Sequence, residues 1–325
     1  MEYRKVGRTG LMVSPVCLGT MTYGDPVGEA DAIAMTHAAM EAGVNFFDTA
    51  NSYAKGRSEE IVGKALKGRR DEVVLATKVG IDIGKGPNEY GLSRKHIMRA
   101  VEESLRRLDT DYIDIYYIHK PDYSTPIEET LRAMDDLVRQ GKVRYLGCSN
   151  LRAWQICKAL WTSDVHHLER FECLQTPYNI LTRDIEYEVL PLCTAEGLGV
   201  TAYNPLAGGL LTGKHDPTKP PTPGTRFAND AQGVQYTDRY WNAANFAAVE
   251  SFRALAAKHG RDMAQMAIAF VLANTAVTSV IIGATSMKHL QHNLAALELT
   301  LAQEELDGCG EIWRRLRPLT FFYGR

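Results

Sequence analysis

Four ionisable residues stand where chemistry would want them. Asp48 closes the apolar run Val44-Asn45-Phe46-Phe47, and Tyr53 follows on the next loop. Lys78 closes Val73-Val74-Leu75-Ala76-Thr77, and His119 closes Ile113 to Ile118. Each has an ordinary explanation taken alone: a solvated boundary lysine, a structural histidine, a helix-capping Asp-Thr-Ala turn, a packing tyrosine. Taken together they suggest a pocket. A free phenol has a pKa near ~10 and is a poor acid at neutral pH. An adjacent ammonium favours the phenolate, and an aspartate beside that ammonium holds it charged and in place. A neutral histidine can donate a hydrogen bond to a carbonyl oxygen. Such a set can protonate an oxygen as a hydride reaches its carbon, or remove that proton in reverse.

For these residues to meet, the segments they close must end at one place. Buried strands are expected near residues 17, 46, 76, 116, 146, 174, 201 and 281, with helical segments between them. Ser93–Leu108 places Ile97, Val101, Leu105 and Leu108 on one helix face. Thr125-Pro126-Ile127-Glu128 reads as a helix start with Thr125 as N-cap and a capping box. Tyr3–Val6 and Leu11–Val13 flank Gly7-Arg8-Thr9-Gly10 and read as a hairpin. A segment rich in Gly, Pro and polar residues spans 204–242. Apolar strands alternating with helices imply a parallel sheet. Eight units in one chain of 325 residues fit an α/β (β/α)8 TIM barrel, with an N-terminal β-hairpin and long C-terminal-face loops, as a single domain over 1–325. The rival, an open doubly wound sheet, would carry G-x-G-x-x-G after its first strand, where this chain has Thr20-Met21-Thr22-Tyr23-Gly24. In a barrel the C-terminal strand ends converge. There stand Asp48, Lys78, His119, Ser149, Asn150, Gln175, Tyr203 and Asn204.

Composition narrows the partners. A net charge of -2 gives no reason to expect nucleic acid or an anionic membrane. No apolar run reaches the ~20 residues of a membrane span. Met1-Glu2-Tyr3-Arg4-Lys5 lacks a signal-peptide apolar region, and no two of the six cysteines form C-x-x-C. The expectation is a cytoplasmic protein whose cysteines are mostly reduced core residues.

At this point the chain resembles the aldo-keto reductases, in the branch that includes the β subunits of voltage-gated potassium channels and bacterial reductases. The likeness runs along essentially the whole chain. It rests on Gly19-Thr20-Met21, Phe47-Asp48-Thr49-Ala50 with Tyr53, Thr77-Lys78, Ile118-His119, Gly147-Cys148-Ser149-Asn150, Gln175, Ala202-Tyr203-Asn204-Pro205-Leu206, Gly208-Gly209-Leu210-Leu211-Thr212-Gly213-Lys214, and Ile282-Gly283-Ala284-Thr285 with Asn293. It implies a tetrad of Asp48, Tyr53, Lys78 and His119, with Tyr53 as general acid, Lys78 and Asp48 tuning it, and His119 orienting the carbonyl. It implies an extended NADP(H) bound without a dinucleotide-fold motif. Thr20, Met21 and Asp48 would lie beside it. Ser149, Asn150 and Gln175 would hold the carboxamide, and Tyr203 would stack on the nicotinamide. Asn204, Pro205, Leu206, Gly208, Leu210 and Lys214, with Arg226, would cover the pyrophosphate. Gly283, Thr285 and His289 would take the adenosine phosphate, with Asn293 near the adenine. His289 and His292 depart from the Gln or Arg and the acid that relatives often carry, so NAD(H) stays open beside NADP(H). Asn204 stands where Ser is more usual.

The leading expectation is an oxidoreductase reducing aldehydes or ketones, sugars included, to alcohols. The mouth would be formed by loops 23–28, 81–92, 120–125 and 228–241, with Tyr23, Tyr53, Tyr90, His119 and Trp241 facing substrate, and Tyr123 and Tyr240 as further candidates. Two alternatives come from other classes. One is a Schiff-base lyase using Lys78 as nucleophile. The other is a cofactor-binding redox-sensor subunit. A homo-oligomer is left open, as is the physiological substrate.

Overall fold

The computed structural model describes residues 1–81, 83–84, 86–228 and 233–317. Chain contacts divide it into two compact units. The first holds Met1–Thr176, Glu186–Tyr203 and Ala276–Gln291; the second holds Pro177–Ile185, Asn204–Thr275 and His292 onward.

The first unit opens with a hairpin, β1 (Arg4–Lys5) antiparallel to β2 (Met12–Val13). Eight further strands follow: β3 (Val16–Gly19), β4 (Phe46–Asp48), β5 (Val74–Val79), β6 (Ile113–Ile118), β7 (Val143–Ser149), β8 (Phe171–Pro177), β9 (Gly199–Tyr203) and β10 (Ser279–Gly283). They close into a barrel in the order β10-β3-β4-β5-β6-β7-β8-β9, and their registers are parallel. This is the (β/α)8 barrel expected from the sequence, with its N-terminal hairpin. Between the strands run α1 (Glu29–Glu41), α2 (Arg57–Ala65), α3 (Arg94–Leu108), α4 (Ile127–Arg139), α5 (Ala153–His166) and α6 (Val189–Glu196).

Local causes are visible in the sequence. Ser93 caps α3 by accepting a hydrogen bond from the His96 amide, and Ile97, Val101, Leu105 and Leu108 are buried on one face. Each such side chain contributes roughly 1.5–3 kcal/mol when fully buried. The start of α4 differs from expectation. Thr125 does not cap it; its hydroxyl donates to Asp122 Oδ2 at 2.8 Å, and Pro126 stands at the N-cap without a side-chain bond. Glu128 pairs with Arg132 instead of closing a capping box. The acceptor on Asp122 outcompeted the helix terminus for the Thr125 hydroxyl.

The barrel interior fixes which residues can reach its mouth. Val6, Val13, Cys17, Phe46, Val74, Ala76, Ile115, Tyr117 and Cys173 form one buried cluster. Side chains alternate across a strand with period two. The next inward positions are therefore Asp48 after Phe46, Lys78 after Ala76, His119 after Tyr117 and Gln175 after Cys173. Gly147 is required within this layer: a Cβ there would lie 2.4 Å from the Tyr117 ring.

The second unit contains α7 (Gly233–Tyr240), α8 (Ala243–Lys258), α9 (Met263–Ala273) and α11 (Gln303–Leu316). A further helix, α10 (Met287–Leu294), begins in the first unit. The segment at 204–242, expected as loop, holds the 3-10 turns Ala207–Thr212 and Arg226–Ala228 as well as α7. Asn242 and Asp262 cap α8 and α9 through their side chains. Among the described residues no helix is long and apolar enough to cross a membrane. Five cysteines are buried and free, while Cys157 is exposed on α5.

Candidate active site

The tetrad residues meet at the C-terminal ends of β4, β5 and β6. The Lys78 side chain is fully buried, and its ammonium spends all three donors. It forms an ion pair with Asp48 Oδ1, donates to the Thr49 carbonyl at 2.8 Å, and donates to the Tyr53 hydroxyl at 3.2 Å. The other carboxylate oxygen, Asp48 Oδ2, accepts from Gln175 Nε2 at 2.7 Å. That pattern is an ionised pair: the carboxylate only accepts and the amine only donates. Burial alone would lower the Lys78 pKa, but Asp48 and Tyr53 outweigh it, and the ammonium is held above its ordinary range. Burial pushes the Asp48 carboxyl up, opposed by Lys78 and Gln175.

Tyr53 and His119 meet edge to face, ring centroids 5.9 Å apart. Tyr53 opens a tight turn in which Ala54, Lys55 and Gly56 take φ of 46°, 55° and 90°. Left-handed backbone at a non-glycine residue costs of order 1 kcal/mol. The turn swings the chain from the phenol into α2 within three residues. Burial, then the charges of Lys78 and Lys120, push the His119 imidazole well below its usual pKa. The ring is therefore neutral at pH 7. Its Nδ1 is buried with no hydrogen-bond partner among the described residues.

A polar belt continues around the strand ends. Asn150, at φ 63°, donates from Nδ2 to the His119 carbonyl and to Ser149 Oγ, both at 2.9 Å. Its Oδ1 accepts from the Tyr203 hydroxyl at 2.8 Å. Tetrad, Ser149, Asn150, Gln175 and Tyr203 are thus brought together in the first unit. Gln175 is tied to Asp48 directly, a support that sequence spacing did not announce.

Other expected site residues are placed as follows. Thr20 is buried, its hydroxyl donating to the Asp48 carbonyl at 3.0 Å; Met21 is half-buried. Tyr23 is 1% exposed and its hydroxyl meets Thr36 on α1 at 3.1 Å, so this side chain is committed to α1 rather than to a mouth. Tyr90 and Tyr123 are exposed. Gly283 faces open space. Thr285 Oγ1 and His289 Nδ1 meet at 2.9 Å. Of the expected mouth loops, residues 82, 85 and 229–232 lie outside the described residues. Loop 120–125 helps line a cleft of about 340 Å³ with Ile118, Leu151 and Trp154. Ile118 points away from the barrel interior by the same alternation, so that cleft lies outside the barrel.

In the second unit, Asn204 Oδ1 accepts from the Gly208 amide at 2.7 Å and Asn204 Nδ2 donates to the Tyr240 hydroxyl at 2.9 Å. Tyr240 is buried as the support of this loop. Pro205 and Leu210 are buried, while Leu206 and Gly208 are half-buried. Ala207, Gly208 and Gly209 are successively left-handed, a run of the kind that turns backbone amides into an anion-binding concavity. Lys214 is exposed. Arg226 donates to the Tyr236 hydroxyl at 3.0 Å. Trp241 packs edge-on against His215, Phe227 and Phe246. Asn293 is buried, and His292 faces Asp262 at 3.3 Å.

A model of the Aldo/keto reductase family matches residues 15–314. The chain belongs to the aldo/keto reductase family. It is 40% identical to a probable voltage-gated potassium channel subunit beta of Oryza sativa subsp. japonica, over 92% of each chain. It is also 40% identical to the uncharacterized oxidoreductase YrpG of Bacillus subtilis (strain 168), over 96% of each chain. To the aldo-keto reductase AMT2 of Alternaria alternata it is 35% identical, over 93% of this chain and 89% of that protein. Aldo/keto reductases are oxidoreductases that generally use NAD(P)H, and this chain shares their barrel.

Proposed function

We propose that this aldo/keto reductase reduces aldehydes and ketones to alcohols with NADP(H), with Tyr53 as the proton donor. One observation carries the reading: a single buried ammonium, Lys78, is bonded at once to Asp48 and to the Tyr53 hydroxyl, with His119 beside that phenol.

The residues of the first unit fit the nicotinamide end of such a cofactor. Ser149 Oγ accepts from Asn150 and keeps its own proton to donate to a carboxamide. Tyr203 is half-buried, its hydroxyl fixed by Asn150. The second unit, taken by itself, carries a left-handed loop at 207–209 suited to a diphosphate. Thr285 and His289 are the groups offered to a 2′-phosphate.

When bound, the cofactor supplies the hydride. The chain's own groups handle the proton. The phenol of Tyr53 delivers it to the carbonyl oxygen, and the ammonium at 3.2 Å stabilises the phenolate left behind. Asp48, steadied by Gln175, keeps that ammonium charged. His119, neutral, donates from Nε2 to the same oxygen and orients it. Oriented proton transfer of this kind contributes about 10²–10⁴-fold.

The lyase alternative needs a neutral amine. Lys78 is instead paired and held in its charged form, which cannot attack a carbonyl. The test is cofactor depletion over a panel of aldehydes, ketones and sugars, run with NADPH and again with NADH. Oxidation of NADPH dependent on a carbonyl compound is expected. Tight NADPH binding with no turnover over the whole panel would overturn the reading.

A further inference from the structure

Beside Lys214, the second unit buries a histidine that the tetrad does not use. His215 is 8% exposed, and neither ring nitrogen has a hydrogen-bond partner among the described residues. Buried polar atoms are ordinarily hydrogen-bonded, so an unpaired pair of ring nitrogens calls for an explanation. The ring is held in place by apolar edges: Phe227 at 5.0 Å and Trp241 at 5.3 Å between centroids, both near perpendicular. Its Nε2 faces the glycine loop. A Cβ built on Gly209 would lie 3.9 Å from that nitrogen, and 3.9 Å from Lys214 Nζ. Gly209 itself has φ 102° and follows the left-handed Ala207 and Gly208. An ammonium, an imidazole nitrogen and a run of left-handed backbone therefore converge on one spot.

We infer that His215 is a second anchor, with Lys214, for the diphosphate of the nicotinamide cofactor, and that it binds in its imidazolium form. The inference rests on the cofactor reading above. It adds a residue and a proton: binding takes up a proton at His215. In the free protein, burial and the Lys214 charge keep the ring neutral. A diphosphate beside it reverses the local field and favours the cation. Among the described residues, other charges near the ring are engaged elsewhere. Arg226, next to Phe227, donates to Tyr236. Asp216 accepts from Thr218 and pairs with Lys219 at 3.1 Å. Phe227, Trp241 and Gly209 bring no charge.

The test is titration calorimetry with NADH, whose diphosphate does not change charge near neutrality and which lacks the 2′-phosphate. Two buffers of different ionisation enthalpy report the protons taken up. The wild-type protein is expected to take up a fraction of a proton per NADH and to bind about three- to tenfold tighter near pH 6 than near pH 8. His215→Gln should abolish the uptake and flatten the pH dependence. Folding of the variant is checked by its thermal transition. Independently, the imidazole resonance of His215 in the wild-type protein should titrate at higher pH with NADH than without it. Undiminished uptake in His215→Gln, or a His215 resonance unmoved by NADH, overturns the inference alone. Failure of the wild-type protein to bind either NADH or NADPH overturns the cofactor reading with it.

Discussion

Gln175 donates a 2.7 Å hydrogen bond to Oδ2 of Asp48, on the side of the carboxylate that Lys78 leaves free. The two residues are far apart in sequence and adjacent at the barrel mouth. The bond fixes the rotation of the carboxylate, and through it the position of the ammonium beneath Tyr53.

Gln175→Leu should therefore weaken catalysis by releasing Asp48. Hydrogen bonds to charged groups are worth about 1.5–3 kcal/mol, so kcat is expected to fall at least about tenfold. Steady-state kinetics at saturating cofactor checks this. A normal kcat would mean that Lys78 alone is enough to hold Asp48.

Removing one member of the buried ion pair should cost more than removing both charges. Lys78→Met leaves Asp48 charged and buried, with an expected loss of about 3–5 kcal/mol in unfolding free energy. Asp48→Asn combined with Lys78→Met should recover much of that loss while remaining inactive. Urea titration of Lys78→Met, Asp48→Asn and the double variant beside the wild type measures the coupling. Additive losses would contradict a tight pair.

Asp122 gathers the Leu92 and Ser124 amides and the Ser124 and Thr125 hydroxyls within 2.6–2.8 Å. Burial opposes ionisation there, but these donors outweigh it and hold the carboxyl down to about 2. A depressed folded pKa gives stability that is full above the unfolded value near ~3.9 and is lost as pH falls through about 2. Because the group is part-exposed, its contribution is about 1 kcal/mol after screening. Asp122→Asn should be destabilised by that amount near neutrality. The gap to wild type should narrow as pH drops below ~4. A gap constant with pH would remove the linkage.

The barrel was legible in the sequence because its strands are near-continuous apolar runs and its helices carry their own stops. Asp48, Lys78 and His119 could be found because each closes such a run. The period-two alternation that turns them inward then follows from the strands. Other features depended on three-dimensional competition for donors. Thr125 looked like a helix cap until Asp122 supplied a better acceptor. Tyr23 looked like a mouth residue until α1 supplied Thr36 and a buried site. Gln175 could be placed at a strand end, but its partner lies across the barrel. His215 gave no spacing signal, since only burial without partners among the described residues distinguishes it.

The central claim is that Tyr53 delivers the proton. Its most direct measurement is the rate of carbonyl reduction by Tyr53→Phe at saturating NADPH, with the NADPH dissociation constant determined on the same protein. Reduction is expected to fall about 10²–10⁴-fold, with the dissociation constant unchanged within about twofold, because the lost hydroxyl serves Lys78, while Ser149 and Asn150 are held to each other by their own bond. Near-normal turnover by Tyr53→Phe would contradict the account.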